Sequence, residues 1–161
     1  MRLLTSILTV CALVASVLSE PKKTECVTPD IVSGPNCRQI TLKYFYNTTS
    51  EMCEHFRWNG CGTKGLFESR YKCVSTCNEK QGAPFCANPP PSPCEDEKDK
   101  KGRKRYYYNI TTKTCEEYNF CGGRQKLLDN NYFIARGYCE KQCGGFNEET
   151  AKAKDKPMVL E

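Results

Sequence analysis

The sequence predicts a small disulfide-rich α+β fold of two tandem modules, each a twisted β-hairpin plus a C-terminal helix cross-linked by three disulfides. Three observations support this class: an aromatic strand–turn–strand pattern that occurs twice, cysteines that divide into two groups of six, and an N-terminal segment typical of secretion. Modules of under about 60 residues bury too little apolar surface to be comfortably stable alone. Secreted chains of this kind rely on disulfides instead.

The repeated pattern runs from Lys43 to Phe56 and recurs sixty-two residues later, from Arg105 to Tyr118, without a gap. Each copy has an aromatic strand, a polar turn and a second strand that begins near a cysteine, which predicts a β-hairpin. Aromatic pairs across a hairpin stabilise it by up to about 1 kcal/mol each. A lone hairpin is still only marginally stable in water, so each copy needs further support.

Residues 1–19 are predicted to be a secretory signal peptide. They combine the positive charge of Arg2 with an apolar run over residues 7–18 and small residues near its end. We expect cleavage after Ser19, with Ser16 as the alternative. A membrane anchor is disfavoured because the apolar run is shorter than about 20 residues and a polar segment follows it.

Twelve of the 13 cysteines remain once Cys11 is removed with the signal peptide. They are Cys26, Cys37, Cys53, Cys61, Cys73 and Cys77, then Cys86, Cys94, Cys115, Cys121, Cys139 and Cys143. This density predicts a disulfide scaffold, although spacing alone leaves about 15 pairings open for each set of six. The oxidising route, the lack of Cys-x-x-Cys pairs and the single histidine argue against structural zinc. We expect no metal and no cofactor.

Charge and motif content exclude two further classes of function. The 24 Lys and Arg become 23 once Arg2 leaves with the signal peptide, against 19 Asp and Glu. That excess is too slight to indicate a nucleic-acid partner. His55 is expected on a strand surface, because a catalytic histidine needs a nucleophile and an orienting acid that the spacing does not supply. We therefore expect no enzyme activity.

The end of the first module has a helical pattern. Cys73 and Cys77 are four residues apart, so they share one face if residues 69–77 form a helix. A helix bonded at two points would be fixed on the hairpin. Phe67 is the expected filler of the small core beneath it.

The first module resembles the Kunitz inhibitor family over its whole length. The motifs that carry the resemblance are Gly34-Pro35-x-Cys37-Arg38, Tyr44-Phe45-Tyr46-Asn47, Phe56-x-x-x-Gly60-Cys61, Phe67 and Cys73-x-x-x-Cys77. The resemblance implies a short N-terminal 3₁₀ turn, a hairpin and a C-terminal helix, with the pairs Cys26–Cys77, Cys37–Cys61 and Cys53–Cys73. Two such modules after a signal peptide are similar to the salivary anticoagulants of blood-feeding ticks.

The resemblance also implies a reactive bond between Arg38 and Gln39. In this family the residue after the second cysteine enters the specificity pocket of a serine protease, and an arginine there implies a trypsin-like enzyme with a carboxylate at the pocket floor. The other members of the implied inhibitory loop are Pro35, Asn36, Cys37 and Ile40. Asn36 and Gln39 depart from the usual residues, and Asn59 replaces a glycine beside the loop. These departures leave open that Arg38 is only an exposed charge.

The second module, residues 86–143, keeps the family register only in its hairpin, Phe133 and its last two cysteines. By analogy it is a divergent Kunitz domain with the pairs Cys86–Cys143, Cys94–Cys121 and Cys115–Cys139. Between the domains, whose first spans residues 26–77, we expect a linker over residues 78–85 that lets them reorient. After them we expect a disordered tail over residues 144–161.

Two surface features of the second module bear on function. Glu95 would face the specificity pocket, where a carboxylate floor would repel it. The following basic residues are a possible exosite for a protein, a glycosaminoglycan or an anionic membrane, and the alternative is a solvated charged loop. They are Lys98, Lys100, Lys101, Arg103 and Lys104. Asn47 and Asn109 are acceptors of N-glycosylation sequons at matching turns, and we expect at least one to carry a glycan.

The leading hypothesis is a secreted, monomeric inhibitor of trypsin-like serine proteases of host blood coagulation or the contact system, and hence an anticoagulant toxin. One alternative is a protein that grips a protease or its zymogen by an exosite without entering the active site. A further alternative is an ion-channel blocker. Duplication of the module argues mildly against the channel, because two linked modules suit a large protein target.

Overall fold

Both predicted hairpin–helix units are present in the computed structural model, which describes residues 24–30, 32–95, 102–123 and 130–154. Each unit has two antiparallel strands followed by an eight-residue helix. The elements in chain order are β1 Thr41–Asn47, β2 Met52–Trp58, α1 Arg70–Cys77, the 3₁₀ turn Pro84–Ala87, β3 Arg103–Asn109, β4 Thr114–Phe120, α2 Arg136–Cys143 and the short α3 Glu148–Ala151. The predicted signal peptide lies outside the described residues.

The two hairpins are closed in the same way. The last residue of the first strand is an asparagine whose Oδ1 accepts a hydrogen bond from the backbone N–H two residues on, at 2.9 Å for Asn47 and 3.0 Å for Asn109. Such Asx turns make the tight reversal that the sequence pattern predicts. One aromatic pair meets edge to face across each hairpin: Phe45–Phe56 at 5.4 Å and Tyr107–Tyr118 at 5.7 Å.

A phenylalanine fills the core beneath each hairpin, as predicted for Phe67. Its backbone exchanges two hydrogen bonds with Tyr44, at 2.8 and 3.0 Å, and Phe133 does the same with Tyr106 at 2.8 and 2.9 Å. Both phenylalanines are buried. The predicted helix then begins after Ser69, whose side chain caps the first turn of α1. The core filler and the helix thus both lie where the sequence predicts them.

Six disulfides cross-link the two units, three in each. The pairs are Cys26–Cys77, Cys37–Cys61, Cys53–Cys73, Cys86–Cys143, Cys94–Cys121 and Cys115–Cys139, the same pairs that the resemblance implies. A 3₁₀ turn precedes the second unit at Pro84–Ala87. In the first unit the described residues 24–30 instead form a turn, in which the Val27 N–H donates to the Glu25 carbonyl at 3.0 Å.

The two units pack against each other, which corrects the expectation of a reorienting linker over residues 78–85. Between the two helices Arg70 Nε donates to Gln142 Oε1 at 3.0 Å, and between α2 and β1 Lys141 Nζ donates to the Leu42 carbonyl at 3.0 Å. Buried side chains of both units form one hydrophobic core. Ala83, in the middle of the expected linker, is 1% exposed. A segment that contains a buried residue and connects two units sharing one core cannot act as a free hinge.

Residues 146–154, which we call the C-terminal clasp, correct the expectation that the tail is disordered from residue 144. Phe146 is fully buried, and α3 begins with a capping box. The clasp also pairs with the connection between the units: the Ala83 N–H donates to the Ala151 carbonyl at 2.8 Å, and the Lys154 N–H donates to the Lys80 carbonyl at 2.7 Å. The remaining residues of the expected tail, 155–161, lie outside the described residues.

Candidate functional site

The loop before β1 presents the predicted reactive residues at the surface of the first unit. All of residues 34–36 and 38–40 are exposed. Two short backbone bonds curl the loop: the Cys37 N–H donates to the Gly34 carbonyl at 3.0 Å and the Arg38 N–H donates to the Asn36 carbonyl at 3.1 Å. The Cys37–Cys61 disulfide then joins it to the chain that follows β2.

The Arg38 side chain lies along its own loop. Its Nε donates a hydrogen bond to the Pro35 carbonyl at 2.8 Å, on the exposed side of the molecule. A surface bond of this kind contributes about 0.5–1.5 kcal/mol at most, because water can replace it. The guanidinium can therefore exchange this contact for a better partner at little cost.

Gln39 and Ile40 occupy different surroundings although they are neighbours. Gly60 has φ of +93°, and a Cβ built on it would lie 3.1 Å from the Gln39 Cβ. The Gln39 side chain therefore lies over a glycine that has no room for a side chain of its own. Ile40, by contrast, is 81% exposed, so a large apolar side chain stands in water beside Arg38. Exposed apolar groups of this size are available to a binding partner.

Trp58 supports the segment that follows β2 and contains Cys61. Its indole Nε1 donates to the Cys61 carbonyl at 2.9 Å and to the Gly62 carbonyl at 2.8 Å. Lys43 Nζ lies 4.9 Å from the centre of the Trp58 ring and forms an ion pair with Glu68. The hydrogen bond from Lys43 lowers the pKa of the Glu68 carboxyl, so the ion pair persists at physiological pH.

A groove of about 420 Å³ lies behind the loop. Its walls include the side chains of Phe56, Trp58 and Leu66, and Val32 and Asn59 stand at its edge. The first leg of the loop therefore borders open space rather than packed core. Apolar packing covers Val32 only in part, on the side of Gly62, and polar contacts add to what holds this segment.

His55 occupies the strand-surface position that the sequence predicts. It is exposed on β2, with its ring 6.3 Å from the ring of Tyr44. Partial burial lowers the pKa of the imidazole, and the charge of Arg70 lowers it further. The ring is therefore neutral at physiological pH. Among the described residues, no group of three or more His, Cys, Asp or Glu side chains could hold a metal ion.

The second unit has a different loop at the matching place. Its Cys94 N–H donates to the Asn119 carbonyl at 2.9 Å, the Cys121 N–H donates to the Ser92 carbonyl at 3.0 Å, and the following Glu95 is exposed. Tyr118 donates its hydroxyl to the Pro91 carbonyl at 3.2 Å. A proline-rich segment is thus tied to β4, and the residue after its cysteine is an acid.

Only part of the predicted exosite lies in the described residues. Arg103 Nη2 donates to the Gly122 carbonyl at 3.1 Å, and Lys104 forms an ion pair with Glu117 at 2.6 Å. The hydrogen bond from Lys104 lowers the pKa of Glu117. Both basic residues are therefore engaged within the second unit. The other three exosite residues, Lys98, Lys100 and Lys101, lie outside the described residues.

Both predicted glycan acceptors stand at hairpin turns with their side chains already bonded. Asn47 Nδ2 donates to Glu54 Oε1 at 3.1 Å, and Asn109 Nδ2 donates to Glu116 Oε1 at 2.9 Å. An amide nitrogen keeps one N–H after a glycan is attached, so this contact and a glycan are compatible. Glycosylation of either asparagine stays a prediction.

Comparison with known proteins gives a family match for the first unit. The Kunitz/Bovine pancreatic trypsin inhibitor domain family matches residues 25–78. Tissue factor pathway inhibitor of Rattus norvegicus is 29% identical over 145 residues, which cover 66% of this chain and 46% of that protein. The carboxypeptidase inhibitor SmCI of Sabellastarte magnifica is 33% identical over 120 residues, covering 73% of this chain and 67% of that protein. The solved structure of Ixolaris, studied with factor X, is 22% identical, covers 79% of this chain and 100% of that chain, and has a TM-score of 0.29.

This chain spans slightly less than half the length of the tissue factor pathway inhibitors that it matches: 46% of the rat protein and 44% of tissue factor pathway inhibitor 2 of Homo sapiens.

No helix in the described part of the chain is long and apolar enough to cross a membrane.

Proposed function

Because the chain belongs to the Kunitz/bovine pancreatic trypsin inhibitor family, whose members are protease inhibitors rather than enzymes, we propose that it inhibits trypsin-like serine proteases through Arg38. The N-terminal segment and the twelve bonded cysteines favour a secreted protein. On this proposal the second unit is a divergent Kunitz domain that does not enter an active site, because an acid, Glu95, follows its second cysteine.

The observation that carries the proposal is the placement of Arg38 on an exposed loop that is tied to the body on both sides of it. The Cys37–Cys61 disulfide fixes the residue before Arg38, and the Gln39 N–H fixes the residue after it by donating to the Asn59 carbonyl at 3.0 Å. A loop that is already ordered binds without a large entropy cost. If the enzyme cuts the bond between Arg38 and Gln39, the two ends stay side by side, so rejoining is easy.

The chemistry of arginine accounts for the trypsin-like class of target. A guanidinium presents its donors in a planar fork that binds a carboxylate with two parallel hydrogen bonds. In a pocket closed to water such a pair is strong and directional. To reach it, Arg38 would exchange its single bond with the Pro35 carbonyl for this better partner.

We propose proteases of host blood coagulation or of the contact system as the targets. The support is similarity to tissue factor pathway inhibitor, a protein named for a coagulation pathway. The match covers 46% of that protein. Measuring inhibition across a panel of purified coagulation and contact-system proteases identifies the particular target.

A second candidate function is binding to a protease or zymogen outside its active site. The observation in its favour is the position of two side chains: Arg38 lies back along its loop, and Gln39 lies over Gly60. A loop that keeps this arrangement in a complex would present Ile40 instead of the guanidinium. Inhibition would then be seen only with substrates large enough to need the covered surface.

The test measures inhibition of purified trypsin-like clotting proteases with a small chromogenic peptide and with a protein substrate. We expect the parent protein to block cleavage of both. Arg38→Ala should weaken inhibition by about 3–5 kcal/mol, because it removes a buried ion pair and its packing. Arg38→Lys should retain part of it. Lys72→Ala is the matched control, since it removes one positive charge from the exposed face of α1.

The outcomes separate the two candidates. Loss of inhibition in Arg38→Ala, with Lys72→Ala like the parent, supports insertion into the active site. Unchanged affinity in Arg38→Ala, with inhibition confined to the protein substrate, contradicts insertion and supports the second candidate.

A further inference from the structure

Asn59, the first residue after β2, makes contact with three separate points of the site. Its side-chain Nδ2 donates to the Val32 carbonyl at 2.8 Å, and its Oδ1 accepts from the Cys61 N–H at 3.1 Å. Its main-chain carbonyl accepts from the Gln39 N–H at 3.0 Å. We propose that Asn59 is the positioning residue of the loop that carries Arg38. It holds both the segment before Cys37 and the segment after Arg38 to the end of the hairpin. This inference rests on the proposed function.

The partners allow only one orientation of the Asn59 amide. The Val32 carbonyl is an acceptor and needs the Nδ2 donor, whereas the Cys61 N–H is a donor and needs the Oδ1 acceptor. Both hydrogen-bonding functions of the side chain are therefore used at once. A glycine at this position would keep the main-chain bond to Gln39 but lose both side-chain bonds.

The bond from Asn59 to the Val32 carbonyl holds the segment before Cys37 to the end of the hairpin. Val32 is 43% exposed and lines the open groove, and its side chain lies near Gly62, so apolar packing covers it only in part. The Cys37–Cys61 disulfide acts five residues further along the chain. If the loop were fixed only at Cys37, the segment before Cys37 would be free to move. The conformational entropy lost on ordering that segment would then oppose binding.

The same contact has a consequence for Gln39. Asn59 and Gly60 together form the surface against which the residue after Arg38 rests: the first accepts its N–H, and the second leaves room for its side chain. A shift of Asn59 therefore moves the bond between Arg38 and Gln39 relative to the body of the unit. An inhibitor loop must hold that bond steady to be cut slowly.

The chain provides a closely matched control in Asn78. Its Nδ2 donates to the carbonyl of Glu51 at 2.8 Å, and its Oδ1 accepts from the Lys80 N–H at 3.1 Å. As with Asn59, the carbonyl belongs to a residue 27 positions earlier and the N–H to a residue two positions later. Asn78→Ala therefore removes the same two kinds of bond from the far end of α1 without touching the loop.

The test compares Asn59→Ala, Asn59→Asp and Asn78→Ala in the full mature chain, with trypsin as the probe enzyme. For each variant we would measure the inhibition constant, the rate of cleavage after Arg38 on long incubation, the melting temperature and the hydrogen exchange of the Gln39 amide. The Gln39 amide is informative because its acceptor, a main-chain carbonyl, remains present in every variant.

We expect Asn59→Ala to weaken inhibition by about 10-fold or more, as two hydrogen bonds are lost, and to speed both loop cleavage and exchange at Gln39. Asn59→Asp keeps the acceptor for the Cys61 N–H but places a second carboxylate oxygen against the Val32 carbonyl, so it should weaken inhibition at least as much as Asn59→Ala. Asn78→Ala should lower the melting temperature by about as much as Asn59→Ala does. It should leave the inhibition constant and the hydrogen exchange of the Gln39 amide unchanged.

Two results would overturn the inference: unchanged exchange at Gln39 in Asn59→Ala, or equal loss of inhibition in Asn59→Ala and Asn78→Ala. Failure of the proposed function looks different. If the parent protein does not inhibit trypsin or any clotting protease, the proposed function is wrong, and the exchange at Gln39 still decides whether Asn59 holds the loop.

Discussion

The two hairpins share one register and one turn, yet each buries a different tyrosine. In the first hairpin Tyr44 is fully buried and Tyr46 is only partly covered. In the second hairpin the matching positions are reversed: Tyr108 is 2% exposed, whereas Tyr106 remains partly exposed. The comparison teaches that a repeated local pattern sets the hairpin but not which of its side chains lies in the core.

Tyr44 is buried because the second unit packs over the first. The carbonyl of the neighbouring Leu42 accepts a hydrogen bond from Lys141 on α2. Arg70 of α1, which donates to Gln142 of α2, lies with its guanidinium 5.8 Å from the centre of the Tyr44 ring. Burial raises the pKa of the Tyr44 phenol; the nearby Arg70 guanidinium opposes this shift, and Tyr138 of α2 adds to it. In the described structure the buried Tyr44 hydroxyl makes no hydrogen bond of good geometry, although the Arg70 side chain lies close enough to lower its pKa. A buried hydroxyl without a hydrogen bond of good geometry costs free energy, which burial of the ring must offset.

Tyr108 is buried by the C-terminal clasp instead. Its hydroxyl donates to the Phe146 carbonyl at 2.7 Å, so the ring is buried and the hydroxyl has a hydrogen-bond partner. Phe146 in turn packs edge to face on Tyr71 of α1, with ring centres 5.1 Å apart. The clasp therefore touches both units, and its loss should affect the whole molecule.

The largest expected effect follows from removing the clasp's anchor. Phe146→Ala should lower the free energy of unfolding by about 3–5 kcal/mol, as for other fully buried phenylalanines. Ile134→Ala is the control, because Ile134 is 60% exposed and its truncation should cost less than about 0.5 kcal/mol. Urea denaturation measures both. A loss below about 1 kcal/mol for Phe146→Ala would contradict the clasp as a shared support of both units.

A second prediction compares the amide side chains that bind the two hairpins. Asn131 is 1% exposed and bonds to both the N–H and the carbonyl of Tyr108, as well as to Asn88. The Gln81 side chain bonds to the N–H and the carbonyl of Cys53 and is partly exposed. We expect Asn131→Ala to cost about 2–4 kcal/mol and Gln81→Ala about 1–2 kcal/mol in urea unfolding. Equal costs would show that burial does not separate the two contacts.

The smallest effect is the most direct test of the tyrosine comparison. Tyr108→Phe should cost about 1–2 kcal/mol, because it leaves the buried Phe146 carbonyl without its donor. Tyr44→Phe removes a hydroxyl that makes no hydrogen bond of good geometry, so stability should be unchanged or rise by about 1 kcal/mol. The two variants make the same chemical change in matching hairpins. If Tyr44→Phe is as costly as Tyr108→Phe, the Tyr44 hydroxyl has a partner, such as the Arg70 guanidinium or a buried water.

Much of each unit could be predicted from its sequence. Aromatic strands around a polar turn predicted the hairpins, Cys73 and Cys77 at four-residue spacing predicted α1, and Phe67 was recognised as core. The resemblance supplied the disulfide pairs, which spacing alone left open. The sequence marks Asn59 only as a residue that replaces the glycine usual beside the loop. Its role could not be read from the sequence, because the partner carbonyl at Val32 lies 27 residues away.

What the sequence by itself determined is therefore local: turns, strand pairing within a hairpin, helix start and the exposure of the residue after Cys37. These depend on neighbours within a few residues, whose preferences are written in the chain. Only the tertiary structure decided that residues 78–85 are packed rather than free, that Phe146 is core and that Tyr44 rather than Tyr106 is covered. The physical reason is that burial depends on which distant segment packs on a side chain, and that contact leaves no periodic trace in the sequence.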